Sequence, residues 1–216
     1  DHLMGLPFFA PLFVPGNQIH FYAVQPQMPE LIRGLFSRPY FPVSWESLSS
    51  TIKFHQLDPR KVREIETISV TPYQLDHPDP CWGFRVEYRG HSYGHAVDTE
   101  ALRVSRDALG EDVKLYENLD LLYFDAQYTL GELADKLNWG HSAAQIGLDL
   151  AMRENVKKII FTHHDPSATT DDILRLEEQT REYYLWKITH ARNLKIPIQD
   201  IDWCYAFEGQ EIYISK

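Results

Sequence analysis

The chain has 216 residues, of which 44% are hydrophobic, enough for one large domain with a substantial core. Its formal net charge of −10 argues against a broad basic surface, so nucleic acid is not an expected partner. No apolar run approaches membrane-spanning length, so no membrane partner is expected either. The cysteines Cys81 and Cys204 make no disulfide framework, which favours a reducing, cytoplasmic location.

The periodicity of apolar residues predicts a mixed chain of strands and helices. Alternating or short apolar runs predict strands over residues 18–24, 51–57, 62–70, 83–88, 92–97, 121–124 and 156–162. Helical spacing predicts helices over residues 29–36, 130–137, 142–155 and 171–194, the last preceded by capping residues. The tail, over residues 201–207 and 211–215, is predicted to form a hairpin. Two sheets covered by helices, a layered α/β (α+β) arrangement, account for this order within a single domain over residues 1–216.

Several predicted strands end in a histidine or an aspartate, and the chain itself opens with the same residue types. An α/β scaffold assembles a metal site from distant sequence when each strand end delivers one imidazole or carboxylate. The candidate metal ligands are Asp1, His2, His77, Asp98 and His163.

This donor set indicates the kind of metal. Neutral imidazole together with carboxylate suits zinc, manganese or iron better than calcium, which prefers oxygen ligands alone. Asp98 could bridge two cations and offset their mutual repulsion. We therefore expect two divalent metal ions, with zinc favoured and manganese or iron as alternatives, and a bound water that is a nucleophile near neutral pH.

Each residue also has a structural interpretation when it is taken alone. His77 precedes Pro78 and is typical of a turn, and Asp98 could cap a turn or a helix. Either His163 or the adjacent His164 could be a hydrogen-bonded core group, so which of the two is the ligand stays open. The metal hypothesis depends on their joint placement at strand ends.

In this order the motifs resemble the metallo-β-lactamase fold superfamily of metallohydrolases, and within it the phosphodiesterase and tRNase Z-like branch. The resemblance covers Asp1 to about Pro166. Asp1-His2 resembles the end of the signature His-x-His-x-Asp-His, His77 the next ligand, Asp98 the bridging aspartate and His163 the terminal ligand. The resemblance implies an αββα sandwich that lacks its N-terminal strands. The first two histidines of the signature would precede Asp1, so we expect the domain to be N-terminally incomplete.

A second match concerns catalysis rather than metal binding. Gly140-His141-Ser142 resembles a Gly-His-Ser/Thr run of the same branch, which implies that His141 stabilises a phosphoryl oxygen or protonates the leaving group. Asp125 resembles an acidic residue that orients a catalytic histidine, and Asp1 is the third implied catalytic residue. Alternatively, Ser142 caps the following helix and His141 is merely adjacent. Phe124 stands where the branch has histidine, which argues against tRNA processing.

These observations predict a metal-dependent hydrolase, a phosphodiesterase in which metal-bound hydroxide attacks a small phosphodiester or a cyclic nucleotide. One alternative keeps the fold and hydrolyses an ester, a lactone or a thioester. Another is a non-catalytic sensor or scaffold that has lost a metal site. A small-molecule phosphodiester is the expected partner, and the resemblance allows a homodimer.

Overall fold

A computed structural model of the chain describes residues 2–214. Their contacts divide the chain into two compact units, Asp1–Asp58 and Pro59–Lys216. That both units make up the single domain predicted over residues 1–216 stays a prediction.

The first unit is a small parallel β-α-β arrangement. Strands β1 (Gln18–Ala23) and β2 (Thr51–Gln56) pair in parallel, and helix α1 (Met28–Leu35) connects them. Three short 3-10 helices complete the unit: Leu6–Phe8, Ala10–Phe13 and Trp45–Ser47. Its core consists of Leu12, Ile32 and Phe36, which are almost completely buried. The predicted elements of this unit are correct to within two residues.

The second unit is built on a mixed sheet in the strand order β3-β4-β5-β6-β7-β8-β9. These strands are Arg63–Ile65, Ile68–Gln74, Trp82–Tyr88, His91–Ala96, Leu121–Asp125, Lys158–Thr162 and Asp202–Tyr205. Strands β3 to β6 pair antiparallel, whereas β6 to β9 pair in parallel. The C-terminal ends of β6, β7 and β8 therefore meet at one edge of the sheet, where open α/β sheets usually bind ligands.

Helices pack on both the parallel and the antiparallel parts of this sheet. They are α2 (Arg106–Leu109), α3 (Ala144–Arg153) and α4 (Thr170–Asn193), with a 3-10 helix at Gly110–Leu115. Helix α3 lies close to β7 and β8 because Gly147 has no side chain: a Cβ there would come within 2.5 Å of the Phe124 ring and 3.0 Å of Phe161. Both phenylalanines are fully buried in the core. A capping box between Thr169 and Asp172 starts α4, in the capping region predicted before it.

The mixed α/β class is confirmed, but three elements differ from the prediction. The strand predicted over residues 62–70 is the hairpin β3–β4, which turns at Glu66 with a positive φ of 53°. The helix predicted over residues 130–137 is a series of turns with i→i+3 hydrogen bonds, in which Leu130 and Leu137 stay 46% and 58% exposed, so little apolar burial stabilises a helix there. The predicted tail hairpin is wrong as well: β9 pairs with β8, and residues 211–214 are not a strand, while Ser215 lies outside the described residues.

Among residues 2–214, no helix has both the length and the apolar character that crossing a bilayer requires. Cys81 and Cys204 are both free thiols.

A buried ion-pair network ties the sheet to the loops beside it. Asp112 is 1% exposed and accepts hydrogen bonds from Arg60 at 2.8 and 2.9 Å, from Arg103 at 2.8 Å and from the Gln74 amide at 3.2 Å. Arg103 also pairs with Asp76. Burial alone would raise the pKa of Asp112, but the hydrogen bonds from the two arginines outweigh burial and hold that pKa below its usual value.

We expect Asp112→Asn to lower the free energy of unfolding by about 1–3 kcal/mol, because it leaves two guanidinium groups without their shared anion. The pKa of Asp112 is lower in the folded protein than in the unfolded chain, where it is about 3.9. Its stabilisation is therefore fully present above that pH and is lost as the pH falls through the folded pKa. Urea denaturation from pH 7 down to about pH 3 measures both effects.

The matched control is Glu87→Gln, which breaks the exposed pair with Arg85 at 3.0 Å. Exposed pairs contribute about 0–1 kcal/mol. An Asp112→Asn variant as stable as this control, or one whose deficit does not shrink in acid, would contradict the prediction.

Candidate metal centre and active site

Four side chains converge at the edge of the sheet where β6, β7 and β8 end. Asp98, Asp125, His141 and His163 each offer one ligand atom, and these atoms lie within 4.8 Å of one another. This spacing is compatible with contacts to a shared cation, and the mixture of carboxylate and imidazole suits zinc, manganese or iron.

The parallel strands position these residues. Asp125 is the last residue of β7, His163 directly follows β8, and Asp98 lies two residues beyond β6. Asp98 and His163 both have left-handed backbones, with φ of 69° and 65°. Such a backbone is uncommon outside glycine and is often found at functional sites. At both positions the strand ends abruptly and the chain turns.

Asp125 is the buried centre of the cluster. It is fully buried, and its Oδ1 accepts hydrogen bonds from the backbone amides of Ser142 at 3.0 Å and Gln127 at 3.3 Å. Its Oδ2 lies 3.1 Å from the Asp98 amide and 3.1 Å from Nδ1 of both histidines. Burial would raise the pKa of Asp125, but the hydrogen bonds from His141, His163 and Ser142 outweigh burial and lower it, so the group is a carboxylate.

The two histidines of the cluster share this carboxylate. His141 and His163 both direct Nδ1 at Asp125, and their ring centroids lie 4.8 Å apart. The hydrogen bond to Asp125 raises the pKa of His163 despite its burial. Because Nδ1 of each ring is engaged, Nε2 is the atom left for a metal or a substrate, as in carboxylate–histidine–metal arrangements.

The structure distinguishes His163 from its neighbour. His164 stacks on Tyr205 of β9 with ring centroids 5.7 Å apart, and its Nε2 lies 3.3 Å from the Ala206 carbonyl oxygen. His164 thus packs against β9, whereas His163 joins the cluster.

His77 lies next to the cluster. Its Nε2 is 3.5 Å from Oδ1 of Asp98, and its Nδ1 is 3.1 Å from the Asp79 carbonyl oxygen. The Asp79 amide also donates to Nδ1 of His77 at 3.0 Å, so the Asp79 backbone holds the ring beside Asp98. Gly140 packs directly on this ring: it has φ of 88°, and a Cβ there would overlap with the imidazole of His77.

Glu100 supports this arrangement and was missed by the sequence analysis. It is 7% exposed, and its Oε1 accepts hydrogen bonds from the amides of Trp139 at 2.9 Å and Gly140 at 3.3 Å. The carboxylate therefore holds the chain segment that contacts His77 and leads into His141. A glutamate two residues after Asp98 carries no sequence signal that distinguishes this role.

The structure brings together five of the seven predicted site residues. Asp98, His163, Asp125 and His141 form the cluster, and His77 adjoins Asp98. Asp1 lies outside the described residues. His2 belongs to the first unit, and its role as a ligand stays a prediction. Asp125 and His141 were predicted as catalytic residues only, yet their spacing also suits a metal ligand.

Comparison with known proteins identifies the family of this chain. The family model described as "Beta-lactamase superfamily domain" matches residues 1–164. Yeast PDE1 is similar in structure, with TM-score 0.66, 17% identity, and coverage of 97% of this chain and 64% of PDE1. A diphosphatase from the PhnP family has TM-score 0.62 and 16% identity over 98% of this chain and 67% of its own. The short form of human tRNase Z has TM-score 0.52 and 20% identity, and the match covers 69% of this chain and 60% of tRNase Z.

At these identities the solved structures establish the fold. The chain spans about two thirds or less of their lengths. No curated protein matches it. The family match covers most of the chain and includes Asp98 and His163, so the chain belongs to the beta-lactamase superfamily and has the metallo-β-lactamase fold.

Proposed function

We propose that this chain is the catalytic part of a metal-dependent phosphodiesterase that acts on a small phosphodiester or a cyclic nucleotide. The observation that carries the proposal is the shared carboxylate of Asp125, which orients His141 and His163 toward the same site. Similarity to PDE1, to a diphosphatase and to tRNase Z supports a phosphate ester rather than another bond.

Within the second unit, the ligands would be His77, Asp98 and His163. Nδ1 of His163 lies 3.1 Å from the Asp125 carboxylate, which fits metal binding through Nε2, and Nε2 of His77 lies 3.5 Å from Asp98. Asp125 already receives hydrogen bonds on both oxygens and therefore suits the role of an orienting residue. Divalent ions bound there, zinc by preference, would lower the pKa of a coordinated water and neutralise charge on the phosphoryl oxygens.

His141 is the proposed general acid. Its Nδ1 is held at 3.1 Å by Asp125 and lies 3.6 Å from Asp98. Nε2 is then the atom that gives a proton to the leaving oxygen, and Asp125 keeps the ring in one tautomer and one orientation. Tyr128 packs edge-on against His141, with ring centroids 5.7 Å apart, and limits its rotation.

We also propose a cytoplasmic location, which the two free cysteines support. Homodimerisation is a proposal without a specific surface behind it.

The proposal is tested with the metal-loaded protein and three substrate classes. We expect hydrolysis of bis-p-nitrophenyl phosphate, with little turnover of nitrophenyl esters or nitrocefin. Asp98→Ala is expected to lower metal affinity and activity by at least roughly 100-fold, because a ligand contributes more than the outer residues that orient it. Metal content by mass spectrometry and initial rates measure the two effects.

The control for Asp98→Ala is Asp202→Ala, since Asp202 forms an exposed pair with Lys158 and should keep both metal and activity. Full metal content and activity in Asp98→Ala would refute the metal assignment. Preferential hydrolysis of esters would assign the chain to the alternative chemistry.

His141→Ala separates a general acid from a metal ligand. We expect kcat to fall roughly 10²–10⁴-fold for diphenyl phosphate, whose leaving group needs a proton. The loss should be much smaller for bis-p-nitrophenyl phosphate, because nitrophenolate leaves without one. Metal content should not change, and His91→Ala, which alters a histidine at the other end of β6, should change neither rate. Loss of metal, or equal loss with both substrates, would show that His141 is a ligand instead.

Gly140→Ala tests the packing against His77. The new Cβ would overlap with the imidazole, so we expect metal affinity and activity to fall at least roughly tenfold while the fold is retained. Gly90→Ala is the control, because Gly90 has φ of 80° and open space around it. Both variants incur a similar backbone cost of about 1–2 kcal/mol, measured by thermal unfolding. Equal activity in the two variants would contradict the prediction.

A further inference from the structure

An apolar cavity of about 160 Å³ lies beside His141. Three segments form it: the chain that follows Asp98, the series of turns over residues 129–141, and the first turn of α3. Its apolar lining consists of Ala101, Leu102, Val104, Leu133, Leu137 and Ile146. His141 lines this cavity and also belongs to the four-residue cluster, so the cavity and the proposed reaction centre share a wall.

The lining is unusual for a protein surface next to a polar site. Leu102 and Leu137 are each 58% exposed, and Val104 is 50% exposed. Single exposed apolar residues are common and need no explanation. Here several converge on one concave surface that a catalytic residue also lines, which is typical of a ligand pocket.

The volume and the apolar lining of the cavity indicate which chemical group it would bind. An apolar cavity of about 150 Å³ holds a benzene-sized ring in other proteins. Two residues of opposite charge, Lys136 and Glu100, also line this cavity, and the Glu100 carboxylate accepts hydrogen bonds from the amides of Trp139 and Gly140. The apolar lining therefore favours a small apolar group on the ligand.

We propose that this cavity is the leaving-group subsite, and that the preferred substrates are phosphodiesters whose leaving alcohol carries one ring or a short apolar chain. The inference rests on the proposed function, because it requires the phosphorus to lie at the cluster while His141 faces the leaving oxygen. A polynucleotide, whose leaving alcohol is a polar ribose, lacks the group that this cavity would bind.

The experiment compares phenyl phosphate with methyl phosphate on the metal-loaded protein. Each ligand is titrated calorimetrically and tested as a competitive inhibitor of bis-p-nitrophenyl phosphate hydrolysis. We expect phenyl phosphate to bind at least roughly tenfold more tightly, as an apolar pocket discriminates by the group it buries.

Two variants remove the discrimination in opposite ways. Leu137→Ser takes away apolar contact, and Val104→Trp fills the cavity; both positions are half-exposed, so the fold should tolerate them. In each variant the ratio of the two affinities should approach one, while methyl phosphate binds as in the wild type. The control is Leu185→Ser, which changes a leucine of α4 that is 56% exposed and should keep the tenfold preference.

The possible outcomes separate the two proposals. If bis-p-nitrophenyl phosphate is hydrolysed but the two phosphates bind equally, or if both variants keep the preference, the subsite is wrong and the proposed function stands. If no phosphodiester is hydrolysed and neither phosphate binds, the proposed function fails and the subsite fails with it.

Discussion

The buried carboxylate of Asp125 is the constraint on which the rest of the site depends. A charge with no exposed surface is costly unless hydrogen bonds satisfy it, and Asp125 receives them from three backbone amides and from His141, with Nδ1 of His163 also 3.1 Å away. One of those amides belongs to Asp98. The same interaction that stabilises the carboxylate therefore fixes the turn after β6 and the orientation of His141 and His163. Replacing Asp125 would disturb all three at once, which is why its effect could not be assigned to a single role.

A second layer of carboxylates holds the loops that Asp125 does not reach. Asp76 precedes His77 and accepts hydrogen bonds from the amide of Arg103 at 2.7 Å and from its side chain. The Asp76 carbonyl oxygen also accepts one from the Glu100 amide at 2.7 Å. Glu100 in turn holds the backbone at Gly140. The loop of His77 and the loop of His141 are thus connected through the chain that follows Asp98, so the distance between them is set by hydrogen bonds rather than by loop flexibility.

Much of this site can be predicted from the sequence, because apolar runs show where the strands end. The apolar runs before Asp98, Asp125 and His163 predict three strands, and parallel pairing brings their ends to one edge. The choice between His163 and His164 did not follow, since it depends on the left-handed backbone at His163 and on the packing of His164 against Tyr205. The role of Glu100 could not be predicted either. Its partners are backbone amides about 40 residues away, and every residue except proline has such an amide, so the sequence does not identify them.

The negative charge of the chain is compatible with an anionic substrate only if the site supplies positive charge. Asp98 and Asp125 lie where a phosphodiester would have to approach, and alone they would repel it. The two divalent ions of the proposed function would more than offset the two carboxylates. The net charge of −10 therefore argues against a broad nucleic-acid surface and is compatible with the proposed phosphate chemistry. The proposed function reconciles the two by placing a small anion at a metal centre, and the proposed subsite beside His141 would then act on the rest of that molecule.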